Sequence, residues 1–432
     1  MKEAVLAQDE FYGPEEAMPA EDRERHYHEK VSQQVQFAYE NSPEVKERMD
    51  AAGVKPSQVR TTRDLELIPF LSRDGLIERQ GKNPPFGGLL AMPMESLYKV
   101  LYSPGPFYIP VSSPEYARPA LRFLHAAGLR KGDAVICSLP SLFAAGATIE
   151  DALSLAGMVA IPAGSGNTEL QINMIHDIGI KGYVGTPSFL MNLVKKSDEL
   201  GYDFRKEFQL RSAVVSAEPL LPEVRNTLQQ DYGIRVTNAL GVGTATWMGF
   251  ECREQAGFHM LEEAFVEIVD PETGKQLGPG EVGAMVLTGL NDNPAFPIIR
   301  YMTGDLSSLT EEPCPCGRSS MRLTGIMGRV GDSVKVRALY LTPAQVNTVA
   351  LRFPVISRCQ VVISREGYRD EMVFNIELTD DTLDREQFSS ELQSSFQDAC
   401  RLRIDKINFV PEGTIPEGYK VIVDERSWEV RR

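Results

Sequence analysis

Ala134-Val-Ile-Cys-Ser-Leu139, Met158-Val-Ala-Ile-Pro-Ala163, Gly182-Tyr-Val-Gly185 and Ala213-Val-Val-Ser216 are four short apolar runs that alternate with stretches of helical spacing at 114–127, 170–177, 187–200 and 222–231. Strands this uniformly apolar are buried on both faces, and strands separated each time by a helix form βαβ units. The middle of the chain therefore reads as an α/β domain. Working outward, residues 1–90 read as short helices with proline-containing joints: 23–40 is amphipathic, Ser42 is placed to cap a helix over 44–52, and 72–79 is a further short helix. Beyond residue 236 helices thin out. Strands are expected at 264–269, 283–287 and 298–301, joined by the turn sequences Asp270-Pro-Glu-Thr-Gly274 and Gly278-Pro-Gly-Glu281, with this sheet closing near residue 309. A second boundary falls at 327–332, followed by a βαββ-like tail with strands at 334–336, 360–364, 372–377 and 407–410 and helices at 343–352 and 384–402. The division is 1–90 helical, 91–327 an α/β core, and 328–432 a small α+β domain. No internal repeat or low-complexity tract is present.

The 432 residues carry 45 Lys and Arg against 60 Asp and Glu, a net charge of −15, with 42% apolar residues. This is a globular composition with acidic surfaces, so neither a nucleic-acid backbone nor an anionic membrane is an expected partner. No run approaches the about 18 apolar residues needed to span a bilayer, and the acidic start of the chain resembles no signal or transit peptide. The expected location is the cytoplasm. Six cysteines in a chain of this length do not make a disulfide framework.

The order of several short motifs is more telling than any one of them. Thr186-Pro-Ser188, Ser216-Ala-Glu-Pro219, Asp270-Pro-Glu-Thr-Gly274, Pro297-Ile-Ile-Arg-Tyr-Met-Thr-Gly-Asp305, Cys314-Pro-Cys-Gly-Arg318 and Gly325-Ile-Met-Gly-Arg329 resemble, in colinear order over about residues 25–425, the phenylacetate–CoA ligase family. The resemblance implies an adenylate-forming enzyme fold, α/β, with a large N-terminal domain and a small mobile C-terminal domain. It also implies a two-step reaction: a carboxylate attacks the α-phosphate of MgATP to give an acyl-adenylate, and the CoA thiol then displaces AMP.

By resemblance, Asp305 accepts hydrogen bonds from the ribose hydroxyls, which suits a vicinal diol; unaligned, it would be a turn aspartate after a strand. Ser216, Ala217, Glu218 and Pro219 lie along the adenine, where taken alone they would be a strand-end turn. Arg329 approaches the nucleotide from the domain junction, and Lys420 reaches the α-phosphate or else faces solvent. The loop Ala163-Gly-Ser-Gly-Asn-Thr168 lacks the ending of a phosphate loop and lines the acyl pocket.

Three positions depart from the family. Its Ser/Thr/Gly-rich phosphate loop ends in Gly-Lys-Pro and holds the β- and γ-phosphates. Here the stretch reads Tyr102-Ser-Pro-Gly-Pro-Phe-Tyr-Ile-Pro110, in which only Ser103, Gly105 and Pro110 survive. Pro104 and Pro106 have no N–H to donate, and Ile109 stands in the lysine position. The family's Tyr-Gly-x-x-Glu becomes Leu240-Gly-Val-Gly-Thr244, which keeps Gly241 but puts the neutral Thr244 where a carboxylate helps hold Mg²⁺. In Pro416-Glu-Gly-Tyr-Lys420 the lysine is shifted by one, and Gly331-Asp332 keeps one of two hinge acids. Losing one preorganised donor to a developing anion costs on the order of 10² to 10³ in rate.

Cys252, His259, Cys314 and Cys316 have the spacing Cys-x6-His and Cys-Pro-Cys-Gly, a Cys₃His donor set suited to structural zinc, with Gly317 permitting close approach. The competing reading is buried thiols and an unrelated histidine. Cys137, Cys359 and Cys400 lie in apolar settings and are expected in the core. No histidine stands in a catalytic-triad or His-Glu-x-x-His arrangement. Two functions follow. The first is an AMP-forming ligase for a small aryl or related carboxylate, with ATP, Mg and CoA as cofactors and a homodimer expected by resemblance. The alternative is an impaired relative that binds a nucleotide, CoA or an acyl ligand without adenylation.

Overall fold

Serine caps set the second and third helices of the large unit. Helix α1 (Ala20–Asn41) buries Val31, Val35 and Ala38, spaced as one face of a helix requires. Helix α2 (Pro43–Ala51) starts where the Ser42 hydroxyl accepts from the Val45 N–H, with Pro43 in the first turn, and α3 (Arg73–Lys82) starts where the Ser72 hydroxyl accepts from Gly75 at 3.0 Å. The computed structural model describes residues 11–426 apart from 245, 272, 282, 291–292, 331–333, 338, 342, 367–368, 380–383 and 401. The expected hinge pair Gly331-Asp332 lies outside the described residues.

A tight hairpin follows, β1 (Lys99–Ser103) against β2 (Phe107–Val111), with Ser103 opposite Phe107. Next come the parallel strands β3 (Ala134–Cys137), β4 (Val159–Pro162), β5 (Gly182–Gly185), β6 (Ser212–Val215) and β7 (Arg235–Gly241). Helix α4 (Pro119–Ala126) precedes β3, and between the strands lie α5 (Ala144–Leu155), α6 (Thr168–Ile178), α7 (Pro187–Glu199) and α8 (Pro222–Asn226). The sheet continues antiparallel through β8 (Trp247–Phe250) and β9 (Phe258–Met260). A second sheet holds β10 (Ala264–Val269), β11 (Gly283–Gly289) and β12 (Tyr301–Ser307), with β12 also pairing in parallel with Leu71–Ser72. Strands β13 (Leu309–Thr310) and β14 (Arg322–Leu323) complete the nine-stranded sheet, whose order is β13-β14-β9-β8-β7-β6-β5-β3-β4. Because β3 is flanked by β4 and β5, connections run outward in both directions from it. Open parallel sheets bind ligands at such a switch, outside the carboxyl ends of the strands.

The structure corrects several boundaries. The strand expected over 298–301 starts only at Tyr301 and runs to Ser307, because Arg300 has φ +51° and breaks the extended run. The Arg300 side chain is buried, ion-paired with Glu267 at 3.0 Å and donating to the carbonyls of Ile68 and Gly274 at 2.8 Å each. Strand β12 of the second sheet ends at Ser307, close to the expected end near residue 309, and the strands that follow, β13 and β14, join the nine-stranded sheet instead. The helix expected over 114–127 is a 3₁₀ turn (Pro114–Ala117) followed by α4, as Pro119 cannot supply the N–H of a continuous helix. The helix expected over 222–231 ends as α8 at Asn226 and continues as a π turn, Thr227–Asp231.

The second unit, Gly328–Arg432, has its own core. It contains the hairpin β15 (Val334–Val336) and β16 (Leu339–Leu341), helices α9 (Pro343–Leu351) and α10 (Arg385–Cys400), and strands β17 (Ile356–Glu366), β18 (Arg369–Leu378), β19 (Lys406–Phe409) and β20 (Ile422–Asp424). The sheet order is β19-β18-β17-β20. Strand β18 alternates as a half-buried strand should, placing Met372, Phe374 and Ile376 inside against Leu392 and Phe396 of α10. Strands β16 and β20 were not expected from sequence, each being only three residues long. Among the described residues no helix is long and apolar enough to cross a membrane.

Candidate active site and metal centre

The carboxyl end of β6 turns sharply. Ser216 donates its N–H to the Gly185 carbonyl at 3.0 Å, holding it beside the end of β5, and is buried. Ala217 has φ +69°, a left-handed conformation that costs an alanine on the order of 1 kcal/mol. Strain of this kind persists only where the surroundings enforce it, and it concentrates at ligand sites. Glu218 and Pro219 follow, half-buried, so the whole Ser216–Pro219 turn lies where an open parallel sheet offers its crevice. Gly241 ends β7, and Trp247 packs on it so closely that a Cβ there would meet the indole at 2.8 Å.

Asp305 sits half-buried near the end of β12, after Gly304 with φ +82°. Its N–H donates to the Thr303 hydroxyl at 3.1 Å, and that hydroxyl donates to the Met285 carbonyl at 3.0 Å on β11. Five residues upstream, the buried Arg300 pins the start of the strand, so the segment Arg300-Tyr-Met-Thr-Gly-Asp305 runs from that anchor to Asp305.

The phosphate-loop stretch is the β1–β2 hairpin itself. Its turn is three residues, Pro104-Gly-Pro106, and the Gly105 N–H is already taken by the Ser103 hydroxyl at 3.2 Å. Phe107 and Ile109 are buried in the core. The residue in the lysine position therefore points into protein, and the hairpin offers no cluster of free N–H groups. Gly243 stands against this hairpin: a Cβ on it would lie 2.8 Å from the Ser103 hydroxyl and 3.8 Å from the Phe107 ring. The next residue, Thr244, is buried with no hydrogen-bond partner for its hydroxyl. The fold thus brings together Ser103, Gly105 and the Thr244 turn.

Two further residues expected at the site from the sequence lie in the second unit. Arg329 is half-buried on the two-residue strand Gly328–Arg329. Lys420 is exposed on the loop after Gly418 (φ +71°), its carbonyl accepting from the Gln360 side chain at 2.9 Å.

The four expected metal ligands converge in the large unit. Cys252 follows β8, His259 is in β9, and Cys314 and Cys316 lie on the loop between β13 and β14. Their ligand atoms all lie within 4.8 Å of one another and all four residues are buried. The Sγ atoms of Cys252 and Cys314 are 3.7 Å apart, and Cys316 Sγ is 3.4 Å from His259 Nε2. A tetrahedron with zinc–sulfur bonds of about 2.3 Å and zinc–nitrogen bonds of about 2.0 Å has edges of about 3.5 to 3.8 Å, so the donor set fits zinc. His259 Nδ1 meets the Ser320 hydroxyl at 3.3 Å, which orients the ring with Nε2 toward the sulfurs. The hydrogen bond with Cys252, and then His259, hold the Cys316 thiol down to about 2, while burial raises Cys314 and the contact with Cys316 raises Cys252.

The N-terminal segment braces this centre, and sequence reasoning did not foresee it. Arg318, between Cys316 and Ser319, pairs with the buried Glu16 at 2.6 Å and lies over the rings of Phe11 and Phe250. Ser319 donates its N–H to the Glu16 carbonyl at 3.0 Å, and Arg23 reaches the Ser319 hydroxyl at 3.0 Å. Nothing in the sequence marks it, since Glu16 stands beside Glu15 in Pro14-Glu-Glu-Ala17 and only the structure shows that it is buried.

The arrangement of two sheets, with the Ser216–Pro219 turn after β6 and Asp305 near the end of β12, is that of an adenylate-forming enzyme fold. The model of the family described as AMP-binding enzyme matches residues 116–291. The phenylacetate–coenzyme A ligase of Thermus thermophilus is 33% identical over 86% of this chain and 85% of its own length. That of Escherichia coli is 30% identical over 81% of each. A crystal structure of 2-hydroxyisobutyryl–CoA ligase, solved with 2-HIB-AMP and CoA, shares the fold with a TM-score of 0.89 at 24% identity, covering 98% of this chain and 94% of that one. The chain belongs to the phenylacetate–CoA ligase family.

Proposed function

We propose that the protein is an AMP-forming acyl–CoA ligase acting on a small aryl or related carboxylate. In the first step a carboxylate oxygen attacks the α-phosphorus of ATP, and pyrophosphate leaves. In the second the CoA sulfur attacks the acyl carbon, and AMP leaves. Ser216, Ala217, Glu218, Pro219 and Gly241 form the adenine wall, Asp305 binds the ribose diol, and Arg329 and Lys420 of the second unit serve the α-phosphate. The observation that carries the reading is the strained Ala217 corner at the carboxyl end of β6, a site the fold maintains at a cost and that an adenine-sized ligand would use.

The chain offers Mg²⁺ no carboxylate at Thr244, and no step is routed through the ion there. Cys252, His259, Cys314 and Cys316 would hold a structural zinc, which would cross-link two loops of the large unit and leave no open position for catalysis. By family resemblance, CoA and a small carboxylic acid are the reaction partners, the assembly is a homodimer and the compartment is the cytoplasm.

Calorimetric titration with MgATP and with AMP tests the reading, followed by a carboxylate screen for CoA-dependent AMP release. The ligase reading requires binding of both nucleotides and AMP release with at least one acid. Asp305→Ala is expected to weaken AMP by about 10- to 100-fold, as the loss of charge-assisted hydrogen bonds would. AMP affinity unchanged in that variant would remove Asp305 from the site.

A further inference from the structure

The loops that leave the carboxyl ends of the parallel strands are joined into one rim. The Ala163 and Gly164 N–H groups donate to the Cys137 carbonyl at 2.9 and 3.1 Å, folding the loop after β4 over the end of β3. Ser138, which follows β3, donates its N–H to the Val184 carbonyl of β5 at 2.8 Å, and Ser216, which follows β6, donates to that of Gly185. Connections run outward in both directions from β3, so this rim crosses the switch of the sheet, from the loop 163–168 to the Ser216 turn. In the reading above the nucleotide takes the β6–β7 side. An acid that meets its α-phosphate then lies toward the β3–β4 side.

The loop on that side cannot hold its shape by itself. Gly164, Gly166 and Asn167 have φ of +64°, +99° and +47°, and such a backbone persists only where neighbours impose it. The neighbour is Gln171, in the first turn of α6 and only 1% exposed. Its Nε2 donates to the Gly164 and Gly166 carbonyls at 2.8 Å each, while its Oε1 accepts from the Ser138 hydroxyl at 2.8 Å. Both amide hydrogens and the oxygen are used, and the reversed amide would set its oxygen against two carbonyls. One buried side chain thus ties the loop after β4 to the residue after β3. Ser165, Gly166 and Asn167 are exposed, so the backbone it holds is presented to a ligand.

We propose that Gln171 is the positioning residue of the acid site: it fixes the loop 163–168 as the wall against which the carboxylic acid packs, and so sets how tightly acids bind. This rests on the ligase reading above. Gln171 acts through the Gly164–Asn167 backbone and not by touching the substrate. A glutamine suits the task because a carboxylate could accept from Ser138 but could not donate to the two carbonyls.

The test compares the full-length protein with Gln171→Met, which keeps the length of the side chain without its hydrogen bonds, and Gln171→Glu, which accepts but does not donate when ionised. CoA-dependent AMP release is measured with a carboxylate screen that includes acetate, benzoate and phenylacetate. AMP binding is read by calorimetry, and loop order by amide hydrogen exchange over 163–168. In both variants KM for the acid with the highest kcat/KM should rise about 10- to 100-fold, as the loss of two buried hydrogen bonds would cause, with kcat within about threefold and AMP affinity within about twofold. Exchange over the loop should quicken about tenfold or more. Misfolding would weaken AMP as well and would not give this split. An unchanged KM, unchanged exchange over 163–168, or AMP affinity falling in step with KM would each overturn the proposal. A parent that releases no AMP with any acid of the screen ends the ligase reading and this proposal together, whereas an active parent whose variants keep its KM ends the proposal alone.

Discussion

At the residue scale, the chain spends its strain and its buried charges on a few positions. Arg300 is fully buried with φ +51° and is held by Glu267 and two backbone carbonyls. Breaking such a pair leaves an uncompensated charge, so Glu267→Ala is expected to lower stability by about 3 to 5 kcal/mol. Urea denaturation would measure it, and a loss below about 1 kcal/mol would show that Arg300 finds other partners. Lys420 is the opposite case, exposed on a loop. Lys420→Ala should leave stability within about 0.5 kcal/mol while slowing AMP formation by about 10²-fold or more. An unchanged rate would return Lys420 to the solvent.

At the element scale, helix α5 holds a glycine whose effect runs against helix propensity. Replacing a mid-helix glycine by alanine ordinarily gains about 1 kcal/mol. A Cβ on Gly146, however, would lie 2.4 Å from the Pro140 carbonyl and 2.7 Å from that of Leu139, both rigid backbone. Gly146→Ala is therefore expected to destabilise by about 1 to 3 kcal/mol through overpacking, read as a lowered urea midpoint with unchanged slope. The metal loops make a second prediction at this scale. Burial pushes the Cys137 and Cys400 thiols up to about 12 and Cys359 to about 11, so they stay protonated and shielded at neutral pH. Counting thiols with a chromogenic disulfide should find few fast groups in the native protein and three more, Cys252, Cys314 and Cys316, after treatment with a strong chelator. A count that chelation leaves unchanged would argue against bound zinc.

At the scale of the whole molecule, the α/β character of the middle and the α+β character of the tail were legible because buried parallel strands and half-buried strands leave different hydrophobic periods. The runs at 134–139, 158–163, 182–185 and 213–216 all became strands of one sheet, the first two shortened at their ends, the third unchanged and the fourth shifted by one residue. The motif order carried the family, since catalytic turns tolerate little substitution and their spacing survives where the surrounding sequence drifts. The Cys-x6-His and Cys-x-Cys pairs were legible for a similar reason: few other roles require thiol and imidazole at such spacings.

What the sequence could not decide was anything set by contacts distant along the chain. That 298–300 is not extended depends on Glu267, 33 residues away from Arg300. That Glu16 secures the metal loop depends on Arg318, 302 residues away. The Pro104-Gly-Pro106 stretch read as a damaged anion loop because composition records the missing donors, and only the structure shows that the remaining Gly105 N–H is already taken by Ser103. Only the tertiary structure places Gly243 against Ser103, since proximity between separate elements is fixed by packing and not by local propensity.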